Sequence, residues 1–331
     1  MNTYKFLLMA APRFQQYNVI TTDCNPFAEP LCFKRITLDD IPAINAVLCD
    51  AAWVSSRTCD YSIGGIFMWI DYFDYSYCIV NNTLFIKGVT ENDVTTPAFS
   101  LPVGEMNLGA AVALLREYCA AHGNMSLKFS AVPEDRVEEL RQLGATLVEP
   151  LEDWSDYIYD ASSLASLSGK KLSKKRNHVN RFVTDNPGYR FEPLTHGNLD
   201  DVKAFFDASH LAFDKPVLAD VERIQVKAVL DNFDCFPMME GAVLSTIAEG
   251  IVAFTIGEII GDTLYVHIEK MNHSVPGAGE TVNNLFAKLI LERHPEVRYI
   301  NREEDTGDCG LRKAKLSYHP LALLKKFNVL M

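Results

Sequence analysis

Two apolar, β-branched runs, residues 251–260 and 264–270, flank Gly261-Asp262, a dipeptide suited to the tight turns that match strand twist, and they predict a hairpin. After a stretch of small and polar residues, Val282, Leu285, Phe286, Leu289 and Ile290 recur at helical spacing, so the second strand runs through a loop into a helix. Gly277, Ala278 and Gly279 stand at the start of that helix with almost no side chain in the way. Its free first-turn amides, aided by the helix dipole, would suit the pyrophosphate of a thioester carrier; a plain strand-to-helix connection accounts for the same glycines.

Elsewhere strand and helix patterns alternate. In the first half they predict strands at 84–89, 126–132 and 154–159, helices at 108–121 and 134–143, and a proline-bearing loop at 95–105. The run 61–77 is dense in aromatics, among them Phe67, Trp69, Phe73 and Tyr77, which suits core packing or the wall of a groove. In the second half the patterns predict strands at 189–194, 243–249 and 299–300 and helices at 199–210 and 221–233, with 237–242 as a connector. A weak internal repeat relates the halves. Residues 33–43 and 191–204 each read as a short strand, an Asp pair at a helix start, and apolar residues at helical spacing. These patterns predict a layered α/β (α+β) chain of two similar domains, 31–165 and 189–331, joined by 166–188 and preceded by an irregular extension or misplaced start at 1–30.

Composition narrows the class. With 48% hydrophobic and 22% charged residues the chain is globular, and no apolar run nears the roughly 18 residues of a membrane helix. Eight cysteines include no Cys-x-x-Cys pair and no histidine spacing for a metal, which points to reduced thiols, no metal site and a cytoplasmic setting. A net charge of -12 repels nucleic acid at long range. The exception is residues 162–182, expected to be helical, where Lys170, Lys171, Lys174, Lys175, Arg176, His178 and Arg181 form a basic stripe. It serves either as a solvated linker or as a landing site for the phosphates of RNA, a nucleotide carrier or a lipid head group.

The strand at Tyr299-Ile300 delivers Asn301-Arg302-Glu303-Glu304-Asp305, followed by Gly310-Leu311-Arg312-x-x-Lys315 and Tyr318. Charged residues at a strand's carboxyl end commonly face the cleft of an open sheet. The Gly277-Ala278-Gly279 turn resembles the Gly-x-Gly half of the phosphate loop of GNAT acyltransferases, with Ser274 where that family has Gln or Arg. Gly310-Leu311-Arg312-x-x-Lys315, with an aromatic and a proline after it, resembles the closing motif of the tandem-GNAT aminoacyl transferases. These include the Fem peptidoglycan-bridge enzymes and the C-terminal domain of phosphatidylglycerol lysyltransferase. The basic helix and the run 301–305 are similar to soluble proteins grouped with that domain. The resemblance covers roughly residues 31–325, with Ala314 in place of the usual aromatic and without the lipid enzymes' membrane segments.

The resemblance implies two tandem GNAT-like domains, each a mixed, mostly antiparallel sheet flanked by helices. It further implies transfer of an acyl group from a coenzyme A thioester or an aminoacyl-tRNA to an amine or hydroxyl, with no tightly bound cofactor. Gly277, Ala278 and Gly279 would hold a coenzyme A donor, Lys174, Lys175, Arg176, Asn301 and Arg302 would contact substrate, strand backbone amides would meet the oxyanion, and splayed hairpin strands would aim exposed amides and a lysine at the negatively charged carrier. Acyl transfer needs a base for the acceptor, a stabiliser for the oxyanion and an acid for the leaving group. Glu304 or Asp305 suits the base with Glu269 in reserve, Lys315 the donor phosphate or developing charge, and Tyr318 the acid. The same carboxylates suit an ion-pair network with Arg302 and Arg312, and a non-catalytic binding or regulatory protein on this scaffold would carry the same marks. The acceptor and the oligomeric state stay open.

Overall fold

The computed structural model describes residues 31–50, 56–91, 93, 95–210 and 217–331, so the expected extension at 1–30 lies outside the described residues. The first elements are β1 (Lys34–Arg35), α1 (Ile41–Asp50), α2 (Ile63–Trp69), β2 (Ser76–Val80), β3 (Thr83–Val89), β4 (Pro97–Phe99) and β5 (Val103–Gly104). Next come α3 (Leu108–Ala121), β6 (Lys128–Pro133), α4 (Glu134–Gln142), β7 (Leu147–Pro150), β8 (Asp156–Asp160), α5 (Ala161–Ser166) and α6 (Ser173–Asp185). The second half holds β9 (Arg190–Pro193), α7 (His196–His210), α8 (Val217–Asp231), β10 (Met239–Thr246), β11 (Gly250–Ile260) and β12 (Thr263–Met271). It ends with α9 (Ala278–Arg293), β13 (Tyr299–Asn301), α10 (Cys309–Leu316), β14 (Ala322–Leu324) and β15 (Lys326–Leu330).

One sheet runs β1-β2-β3-β4-β6-β15-β7, with β5 paired to β3, and the other runs β14-β8-β13-β12-β11-β10-β9. Each begins with antiparallel strands, crosses over through a helix (α3 or α9), and returns in parallel, β4 to β6 and β12 to β13. In each, the position next to the last is filled from the other half: β15 lies between β6 and β7, and β8 between β13 and β14. The chain is thus two tandem GNAT-like units, each a mixed, mostly antiparallel sheet with helices against it, that exchange one strand. The sequence reading assigned β8 to the first domain by order along the chain. Asp156, Tyr157, Ile158 and Tyr159 are all buried, so β8 needs cover on both faces, and the interior of the second sheet supplies it.

The repeat at 33–43 and 191–204 corresponds to β1 with α1 and β9 with α7, the edge strand and following helix of each unit. One apolar cluster joins the units, including Ile44 and Phe67 from the first and Phe206, Val226, Phe236 and Phe254 from the second. The aromatic run packs within this structure: Phe67 meets Phe236 edge-on at 5.3 Å, and Trp69 meets Trp154 at 5.2 Å. The basic linker is two helices rather than one, parted by Leu167 (φ 48°) and Gly169 (φ 78°) in the left-handed region. The strand expected at 243–249 begins earlier, at Met239, so the expected connector is part of β10.

Candidate active site

β12 and β13 pair only at Thr263↔Tyr299, Leu264↔Ile300 and Tyr265↔Asn301. At Arg302 the chain turns away, and a wedge opens between the second half of β12 and residues 302–305. The splay was expected within the hairpin, yet β11 and β12 are paired from Ala253↔Met271 to Ile260↔Thr263, broken only by a bulge at His267. A tight antiparallel turn holds its two strands together, whereas a parallel partner arriving from a crossover helix is free to diverge.

Glu269 on β12 is the centre of one wall. It accepts from Arg302 Nη2 at 2.7 Å and from Asn283 Nδ2, on α9, at 3.2 Å. The Arg302 guanidinium lies 4.9 Å from the Tyr318 ring, and Lys175 of α6 lies 4.2 Å from that ring while pairing with Glu280 at 3.2 Å. Burial works against the charge on Arg302, but the Glu269 carboxylate overcomes it and raises its pKa; burial raises that of the Tyr318 phenol, which stays neutral. Arg302 Nη1 and Asn283 Oδ1 are buried and have no partner, so the wall presents one donor and one acceptor beside a carboxylate.

The other wall is Glu303, whose side chain is 14% exposed and whose Oε1 lies 2.6 Å from His267 Nδ1. Its backbone is left-handed at φ 56°, and the neighbours hold it there: its N–H donates to Asn301 Oδ1 at 2.7 Å, and its carbonyl accepts from Tyr157 N and Lys315 Nζ, each at 3.2 Å.

Several residues expected to act on substrate are engaged elsewhere. Lys315 is buried, with its ammonium on the carbonyls of Glu303 and Glu304, so it ties α10 to the turn rather than facing a donor; burial lowers its pKa. Asp305 accepts from Arg312 Nε at 2.8 Å, from Gly307 N at 3.0 Å and from the Tyr157 hydroxyl; burial opposes its charge, yet these donors lower its pKa. Asn301 is fully buried and donates to Arg57 O at 2.7 Å and Asp156 Oδ2 at 2.8 Å. Arg176 donates to the carbonyls of Leu167 and Gly169 and closes the turn before α6. The space left by the small residues is filled from within. A Cβ on Gly277 would stand 2.6 Å from the His178 carbonyl, one on Gly279 2.3 Å from Met271 Sδ, and Ala278 is buried, so these residues let α6 and β12 pack closely on the turn. Lys174 is exposed on α6 with His178 and Arg181, and Lys170 and Lys171 are exposed in the turn before it.

Glu304 points into a sealed nest. Lys326 Nζ, 1% exposed, lies 2.7 Å from both Asp156 and Asp60, 3.4 Å from Cys59 Sγ and 3.7 Å from Glu304. Among the described residues Cys59, Asp156 and Glu304 come together as a metal-binding set would, but the cation there is the lysine. Burial, with Asp156 adding to it and Lys326 opposing, raises the Glu304 carboxyl to about 8. Behind the turn, a cavity of about 460 Å³ is lined by Leu151, Leu316, Leu323 and Phe327 together with Arg312 and Lys325.

Of the expected site residues, then, the wedge gathers Glu269, Arg302, Tyr318 and Lys175. Sequence reasoning missed Glu303 as distinct from its neighbours, and His267, whose signal is a histidine inside an otherwise apolar strand. It also missed Asp156 and Lys326, which are far apart in sequence and meet through the strand exchange.

Residues 51–330 match the family described as phosphatidylglycerol lysyltransferase, C-terminal. Among solved structures, a conserved protein of unknown function from Bacteroides thetaiotaomicron VPI-5482 is 32% identical, with 91% of this chain and 99% of that one covered at a TM-score of 0.79. L-PGS from Bacillus licheniformis is 15% identical over 87% of this chain and 91% of that one, TM-score 0.57, a likeness of fold. An uncharacterized protein of Mycoplasmoides gallisepticum is 21% identical over 183 residues, which are 54% of this chain and only 56% of that relative's length. Among the described residues no helix is long and apolar enough to cross a membrane. Family and fold point to an acyl or aminoacyl transferase. The chain belongs to the phosphatidylglycerol lysyltransferase C-terminal family.

Proposed function

We propose that the protein moves an aminoacyl group from an aminoacyl-tRNA to an amine or hydroxyl at the wedge between β12 and β13. The observation that carries this reading is the pairing of two wedge carboxylates, Glu269 and Glu303, with a cationic α6 face that reaches the wedge through Lys175. The exposed cations favour an RNA donor, because lysines and arginines that neutralise RNA phosphates release condensed counterions to solvent, even on an acidic protein. A coenzyme A donor has less support, since the Gly277 turn is packed against α6.

In this reading Glu303 takes the proton of the acceptor N–H or O–H as it attacks the ester carbonyl, and Glu269 is its alternate. Arg302 Nη1 and the β12 backbone past Tyr265 meet the charge developing on the carbonyl oxygen. The ester C–O bond breaks, and the departing ribose oxygen takes a proton from Tyr318, which is restored from Glu303 through solvent. Incubating the protein with tRNA carrying a labelled amino acid, and separately with labelled acyl-coenzyme A, tests the reading. Retention of the charged tRNA and release of label to an added amine or hydroxyl compound are expected. Retention of acyl-coenzyme A alone, or of neither donor at high micromolar protein, would overturn it; tight binding of charged tRNA without any turnover would favour a non-catalytic binding protein.

A further inference from the structure

A line of hydrogen bonds crosses from the first unit to the wedge. At the start of α2 the amides of Ile63 and Gly64 donate to Glu258 Oε1 at 3.2 Å and Oε2 at 2.8 Å, on β11 of the second unit. Glu258 Oε2 lies 3.2 Å from His267 Nε2, and His267 Nδ1 lies 2.6 Å from Glu303 Oε1. Glu258 is buried and accepts from two amides, the bonding of an ionised carboxylate. Both ring nitrogens of His267 therefore face acceptors, and a ring that donates from both nitrogens is an imidazolium. Burial alone would depress the His267 pKa, but Glu303 and Glu258 raise it to about 10. The Tyr265 ring lies nearly parallel to the imidazole at 6.4 Å, and the α2 backbone at Gly64 packs against it.

Two features separate this arrangement from an ordinary buried ion pair. The His267 side chain is 0% exposed, so it reaches substrate only through Glu303, the left-handed residue that the imidazole anchors. A Cβ on Gly64 would stand 2.1 Å from His267 Cδ2, so α2 docks against the imidazole only because that position lacks a side chain.

We propose that His267 is the positioning residue of the wedge: as an imidazolium held between Glu258 and Glu303 it fixes the Glu303 carboxylate, and docking of α2 on Glu258 sets that geometry. Its catalytic consequence rests on the transferase reading, whereas the geometry does not. The first experiment therefore needs no turnover. In the full chain with ¹⁵N-labelled histidine, the His267 signals are assigned among the eight histidines by their loss in His267→Asn. At about pH 8, where an ordinary histidine of pKa about 6.5 is neutral, both ring nitrogens of His267 are expected to carry protons. Glu258→Gln and Gly64→Ala, which disturb the same chain from its far end, are expected to shift those signals. A neutral ring at that pH overturns the proposal, and so do ring signals unmoved by Gly64→Ala.

The second experiment is kinetic. His267→Gln is expected to lower kcat about 10–100-fold with the donor KM nearly unchanged. Adding His267→Gln to Glu303→Gln should cost little more, because the imidazolium acts through that carboxylate. Fully additive losses overturn the positioning role. Absence of transfer by the unaltered protein defeats the transferase reading and leaves the spectroscopic result to decide the geometry.

Discussion

The two units build the same wedge and fill it with opposite contents. In the first, β4 and β6 meet in parallel at Phe99↔Phe129 and then part, and the residues at and around that contact, Phe99, Leu101, Leu127, Phe129 and Val132, are buried in one apolar cluster with Leu108 and Leu115 of α3. In the second, β12 and β13 part after Tyr265↔Asn301, and the space holds His267, Glu269, Arg302 and Glu303. A wedge packed with phenylalanine has no group to orient a reacting ester. A wedge with a buried donor and acceptor left unpaired carries a cost that a polar ligand would offset. Topology supplies the opening, and side chains decide whether it is core or site.

The strongest way to break the comparison is to undo what completes both sheets. Lys326 opens β15 and Asp156 opens β8, so their 2.7 Å ion pair sits where the exchanged strands cross. Lys326→Met keeps the volume and leaves the buried Asp156 and the partly buried Asp60 without their countercharge, which should cost about 3–5 kcal/mol of stability. Urea unfolding measures it; a loss below about 1 kcal/mol would show that the nest is not structural. Phe129→Ala, which empties the apolar wedge, should cost a similar ~3–5 kcal/mol while leaving the donor KM as it was. Glu303→Gln is the reverse case: transfer should fall about 100-fold or more, while Glu258 keeps a countercharge on His267 and limits the loss of stability. If Phe129→Ala instead changed donor affinity, or Glu303→Gln left the rate untouched, the division between support and site would be wrong.

A smaller effect separates the sealed carboxyl from the open ones. Glu304 ionises near 4.5 when unfolded and is raised to about 8 by burial in the fold, so between those values the folded protein keeps a proton that the unfolded chain releases. Stability must then fall as pH rises through that window, by about 1 kcal/mol per unit. His267, raised from 6.5 to about 10, contributes stability that is complete below 6.5 and is lost as pH rises towards 10. Glu304→Gln should flatten urea midpoints between about pH 5 and pH 6.5 and, from there to about pH 8, reduce the decline to the part that His267 contributes. An unchanged slope would mean that Glu304 is ionised in its nest.

Local periodicity carried most of the fold. The hairpin β11–β12, the helices α3, α4 and α9, and the repeated β1-α1 and β9-α7 pieces are each written in a short stretch of apolar spacing. The strand exchange is not, because nothing within residues 156–160 or 326–330 names the sheet that each joins; that depends on pairing between β14 and β8 or β15 and β6, far apart in the chain. The site divides in the same way. Glu269, Arg302 and Tyr318 were legible as polar residues at the ends of a strand and a motif. Which of Glu303, Glu304 and Asp305 faces the wedge was not, since the left-handed turn at Glu303 sends three adjacent carboxylates to three places: His267, the Lys326 nest and Arg312. Gly277 was read as room for a ligand, and the room is used by α6.

The smallest effect tests whether the cations beside the polar wedge bind or brace. Lys171 and Lys174 are exposed, so Lys171→Ala with Lys174→Ala should leave the unfolding midpoint in place. If they meet phosphates of the donor, the double variant should weaken tRNA binding at every sequence alike and reduce the slope of log K against log salt by about one for each lysine lost. Arg176 lies in the same stripe but spends its donors on the Leu167 and Gly169 carbonyls. Arg176→Ala should lower stability and leave the salt slope alone. Equal slopes for the double variant and the unaltered protein would remove the basic face from the donor site, even with the wedge chemistry intact.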